Sequence, residues 1–150
     1  MKVVSGGQTG VDRAALDAAM ELGLPCGGFC PRGRKAEDGR IPERYPLVEL
    51  ESSAYATRTW ANVRTASATL VLARKPISGG TRLTVEACQR LGKPFLVVDP
   101  GDPEALDRAK TWLKAQEVAV LNVAGPRESQ DPGIYACALA FLRVLLALLS

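Results

Sequence analysis

Six short apolar runs alternate along this chain with segments whose apolar residues recur every three or four positions. The runs cover residues 2–5, 26–29, 47–50, 68–73, 95–98 and 118–123. ATLVLA and FLVV are apolar on both faces, as strands are in a parallel sheet covered on both sides. Between the runs, Val11, Ala15, Ala18 and Leu22 share one helical stripe. Ala56, Trp60, Val63 and Ala66 mark a second, and Leu83, Ala87, Cys88 and Leu91 a third. Helices are also predicted over 103–116 and 131–149. Gly23 with Pro25, and Gly92 with Pro94, supply the stops. Residues 31–46, PRGRKAEDGRIPERYP, are polar and irregular.

This alternation predicts an α/β fold: a Rossmann-like, doubly wound, mostly parallel sheet with helices on both faces. No linker or shift in composition divides the chain, so residues 1–150 are expected to form a single ligand-binding domain. Two stretches echo one another, GGQTGVDRAALDAAMELGLPCGGF and GGTRLTVEACQRLGKPFLVV. Each runs from a glycine pair through a helix ending in Leu-Gly-x-Pro to a strand. With strands ordered 3-2-1-4-5-6, the first and fourth would be neighbours and both glycine pairs would face one crevice.

Glycine lets a ligand approach the backbone closely, and the first turn of a helix offers unpaired N–H groups to an anion. The first loop lacks the Gly-Lys-Ser/Thr of a Walker motif, because Val11 follows Gly10, and it also fails GxGxxG. An anion pocket is therefore expected from Gly6, Gly7, Gln8, Thr9 and Gly10 with Gly79, Gly80 and Thr81. Arg13 and Arg32 are the preferred basic partners, with Arg34, Lys35, Arg40 and Arg82 nearby in sequence. Asp12 is expected to cap its helix, hold an arginine, or bind a ribose hydroxyl or Mg2+. Asn122 or Arg127 is expected to edge the pocket from the sixth strand.

Composition narrows the chemistry. The chain has no histidine, which removes His-based triads and His-ligated zinc. Its four cysteines form no CxxC pair and read as small buried thiols, so no metal site is expected. A net charge of +3 is too weak to argue for nucleic acid. No signal-peptide run opens the chain, and residues 134–150 are too short and too interrupted by Arg143 to span a bilayer. A soluble, cytoplasmic protein is expected. Leu139, Leu142, Leu145, Leu146 and Leu149 are too many for one exposed face, so the last helix should pack on the sheet, form a homo-oligomer interface, or divide between the two.

Taken in order, SGGQTGVDRAALDAA, CPRGRKAEDGRIPERYPL, RTWANV, GGTRLT and LNVAGPRES resemble the molybdenum cofactor carrier protein family. That family falls in a Rossmann-like nucleotide-binding group that also includes the lysine-decarboxylase-like phosphoribohydrolases. The resemblance implies a molybdenum cofactor, or another phosphorylated pterin or nucleotide-like ligand, held in an anion pocket of an oligomeric carrier. The hydrolases' signature resembles Pro-Gly-Gly-x-Gly-Thr-x-x-Glu, and here SGGTRLTVE keeps Glu86 at that spacing but has Arg82 and Leu83 in place of Gly-Thr. The alternative is thus a nucleoside 5'-monophosphate phosphoribohydrolase using Glu86 and Arg82. A third is a nucleotide-sensing partner of another protein.

Overall fold

The computed structural model describes all 150 residues. Strand β1 (Lys2–Val4) leads through the first glycine loop into helix α1 (Val11–Glu21), then β2 (Cys26–Gly27). Short strands β3 (Phe29–Cys30), β4 (Lys35–Ala36), β5 (Gly39–Arg40) and β6 (Val48–Glu49) follow before α2 (Tyr55–Thr65). The rest alternates regularly: β7 (Ala68–Leu72), α3 (Gly79–Leu91), β8 (Phe95–Val98), α4 (Ala105–Gln116), β9 (Val120–Ala124) and α5 (Ile134–Leu149).

The main sheet has five strands, all parallel, in the order β2-β1-β9-β7-β8. The doubly wound fold is as expected from the sequence, but the strand order is not. β9, the last strand in the chain, lies between β1 and β7, pairing Leu121 with both Val3 and Ala68. The first and fourth predicted strands are therefore not neighbours, and the sixth runs down the middle of the sheet. The right-handed crossover rule sorts the helices by the direction each connection takes. The connections moving from β1 to β2 and from β8 to β9 run the same way across the sheet, and their helices α1 and α4 share one face. Those reaching β7 and then β8 run the opposite way, with α2 and α3 on the other.

The predicted strand at 26–29 is interrupted at Gly28. Its φ of 126° lies outside the range of ordinary residues, and a Cβ there would sit 2.1 Å from the Ser5 carbonyl oxygen. The chain turns at this point, so β2 stays in the main sheet while β3 pairs with β6 in a small parallel sheet of its own. β4 and β5 form a separate hairpin.

The larger core lies under α1, α4 and α5. Val3, Leu70, Leu72, Leu121 and Val123 meet Leu142, Leu145 and Leu146 there. Small residues Ala14, Ala15, Ala18 and Ala19 let α1 come close to the sheet and to α5. Each fully buried leucine contributes about 1.5–3 kcal/mol of transfer free energy. On the opposite face Val63, Ala87 and Cys88 pack between α2 and α3. Leu139, Leu142, Leu145 and Leu146 of α5 are buried, whereas Val144 and Leu148 remain 48% and 47% exposed. No helix is long and apolar enough to cross a membrane.

Candidate functional site

A cleft of about 340 Å³ opens over the carboxyl ends of β1, β9 and β7, where open α/β sheets bind ligands. Gly6, Gln8 and Asp12 line it from the first glycine loop and α1; Gly79, Gly80 and Thr81 from the start of α3. Asn122 and Arg127 contribute from β9 and the turn after it. The two glycine loops thus share one crevice even though their strands are separated. β9 forms the floor between them.

Three backbone N–H groups at the start of α3, those of Gly79, Gly80 and Thr81, have no acceptor, and no side chain caps the helix. Thr81 is only 4% exposed, yet its hydroxyl has no hydrogen-bond partner in the protein. The helix dipole adds positive potential at the same point. Asn122 is 3% exposed; its amide donates to the Thr69 hydroxyl at 3.3 Å, which leaves the side-chain carbonyl open toward the cleft. Arg127 carries the one buried polar side-chain atom without a hydrogen bond, its Nε. The Glu37 carboxylate lies 3.5 Å away.

Opposite α3, Arg58 of α2 lies flat against Gly6. A Cβ at Gly6 would stand 2.3 Å from the Arg58 Cδ, so the missing side chain is what admits the arginine. Arg58 Nη1 donates to the Gly6 carbonyl at 3.0 Å and lies 3.7 Å from Asp12 Oδ2. That carboxylate also accepts the Gln8 N–H at 3.3 Å. Burial pushes the Asp12 carboxyl up to about 6, outweighing the pull of Arg58, the Gln8 N–H and Arg13. Asn62 fixes the neighbouring wall by accepting from Phe29 N–H at 2.8 Å and donating to Phe29 carbonyl at 3.0 Å.

Other residues expected at the pocket lie elsewhere. Gly7 faces Leu47 and Ile41, and Gly10 faces the Pro126 carbonyl. The Thr9 hydroxyl binds Glu37 and accepts from Glu128 N–H. Arg13 turns outward to Asp38, making two hydrogen bonds at 2.5 and 2.8 Å, and to the Gly7 carbonyl. Arg32 borders a separate shallow depression with Glu49, Leu50 and Glu51. Arg34 is buried, donating to the carbonyls of Ile41, Pro42, Tyr45 and Leu47, so it holds the 31–47 segment together. Glu86 is exposed, 3.6 Å from Arg82 on the outside of α3, and neither residue lines the cleft. The hydrolase arrangement built on that pair is not formed.

The sequence reading missed Tyr55, Arg58, Thr59, Asn62 and Gln130. RTWAN carries arginine and asparagine at i and i+4 on one helix face, a usable signal had α2 been placed over the cleft. All four cysteines are free. Burial raises the thiols of Cys26, Cys30 and Cys88, which keeps them protonated and unreactive. No cluster of three acidic or thiol side chains is placed to hold a metal ion.

The parallel doubly wound sheet, with its cleft at the strands' carboxyl ends, places the molecule in the Rossmann-like class. Residues 3–146 match the circularly permutated YpsA SLOG family, and the chain belongs to that family. The chain is also similar to the crystal structure of the "Putative molybdenum carrier protein" from Syntrophus aciditrophicus SB. The two share 42% identity at a TM-score of 0.91, covering 97% of this chain and 94% of that one. The resemblance drawn from the motifs holds. No curated protein matches the chain.

Proposed function

We propose that this protein is a carrier that binds a molybdenum cofactor, or a similar phosphorylated pterin or nucleotide-like ligand, in the cleft over β9. The observation that carries this reading is the set of unmet donors at the start of α3, the N–H groups of Gly79, Gly80 and Thr81 and the Thr81 hydroxyl, with Arg127 lining the same cleft. A phosphate would satisfy these groups, with Arg58 supplying charge from across the cleft. The ring system would lie toward Gly6 and Asn122, where the Asn122 side-chain carbonyl can accept a hydrogen bond. The cofactor is cargo, and the chain's part is to bind it, orient it and shield it from water. The similar structure described as a "Putative molybdenum carrier protein" supports the choice of ligand class.

The setting we propose is the cytoplasm, consistent with four unpaired cysteines. The chain would work as one domain within a homo-oligomer. Native purification followed by mass spectrometry of the released small molecules tests the carrier reading. A co-purifying molybdopterin species is the expected result, and a protein that repeatedly emerges with no phosphorylated ligand from cells rich in the cofactor would sink it.

A further inference from the structure

Asp12 is out of keeping with an anion-seeking cleft. It is the one acidic residue lining the cleft and is only 8% exposed. Its Oδ2 accepts the Gln8 N–H and lies near Arg58, and the Gly6 N–H also faces the carboxylate, but Oδ1 accepts no hydrogen bond within 3.5 Å. A ligand consisting only of phosphate would be repelled by this carboxylate. The arrangement suits a ligand with two unlike ends, one anionic and one rich in N–H donors. Asn122 presents a second open acceptor on the same floor.

Building on the carrier reading, we propose that Asp12 is a specificity-determining residue: its carboxylate reads the paired N–H donors of a 2-amino-4-oxo ring edge, the edge pterins share with guanine. A carboxylate accepts two parallel N–H bonds from that edge, whereas the adenine edge offers one donor and one acceptor and leaves an oxygen facing a lone pair. A single carboxylate among neutral amides is also poor provision for a divalent cation, which takes six or more oxygen ligands. A ribose diol could bind the same oxygen, but it would do so equally for every nucleotide.

The test is calorimetric titration of the protein with GMP, AMP and inorganic phosphate. GMP should bind more tightly than AMP by about tenfold or more, since mismatching one buried hydrogen-bonding edge costs at least that much. Asp12→Asn should bring the two nucleotides to within about threefold by exchanging one acceptor for a donor. If that variant fails to fold, the wild-type protein still decides the matter through pH. The groups facing Asp12 are Arg58 from α2 and Arg13 from its own helix, and both stay charged. Lowering the pH through about 6 should therefore protonate Asp12 and erode the preference for GMP. Equal affinity for GMP and AMP overturns the proposal while leaving the carrier reading in place, as does a preference that survives both Asp12→Asn and acidification. No binding by any of the three also overturns the proposal, whereas the carrier reading falls only if no phosphorylated ligand accompanies the purified protein.

Discussion

At the scale of single residues, Asp12 sets how this protein responds to pH. The unfolded chain holds this proton with an ordinary carboxyl near 3.8, and the folded protein holds it more tightly, at about 6. Folding is therefore opposed by the ionised form. Stability from this group should rise as pH falls from 7.5 toward 5, by on the order of 1.4 kcal/mol. The carboxylates held low by partners, Glu21, Glu37, Asp38 and Asp131, act below that window. Urea unfolding across pH 5–7.5 should show the rise in the wild type, and Asp12→Asn should flatten it. Thr81 gives a second prediction. Its hydroxyl touches no protein acceptor, so Thr81→Val should leave the melting temperature nearly unchanged while weakening phosphate-bearing ligands by about tenfold or more, the worth of one hydrogen bond to a charged group. A large loss of stability with no change in affinity would assign Thr81 to packing instead.

At the scale of elements, Gly28 is the pivot between two sheets. Any side chain there must enter the Ser5 backbone at 2.1 Å while holding a φ of 126°. Gly28→Ala should destabilise by on the order of 3 kcal/mol or more, read from the denaturation midpoint. Periodicity saw strand character on both sides of this glycine but could not show that the chain leaves the sheet at it, because the turn is enforced by contact with Ser5, far away in sequence. Helices α1, α3 and α5 were legible because their apolar spacing and glycine boundaries are local. The position of β9 was not. VAVLNV and ATLVLA are alike as apolar strands, and nothing in either states which neighbour it will take. Basic residues show the same limit. Arg32, Arg34 and Arg13 share a charge but not a fate: carbonyls hold Arg34 and a carboxylate holds Arg13 away from the cleft, which Arg58 and Arg127 line instead.

At the scale of the whole molecule, α5 presents two different faces. Leu142, Leu145 and Leu146 complete the core, while Ala136, Ala140, Val144 and Leu148 form an exposed stripe at four-residue spacing without a charge in it. That stripe suits a second copy of the chain. Sedimentation at micromolar concentration should give an oligomer, and Val144→Lys combined with Leu148→Lys should give a monomer of unchanged secondary structure. A wild-type monomer would remove the stripe from consideration.

The central place of the last strand also orders events in time. As the chain leaves the ribosome, β1 and β7 emerge with no partner between them, and each half of the sheet waits on residues that follow β8 and α4. The floor of the cleft is laid only when β9 slides into that gap. A nascent chain therefore has no complete cleft, and the proposed ligand site comes into being only with the folded sheet.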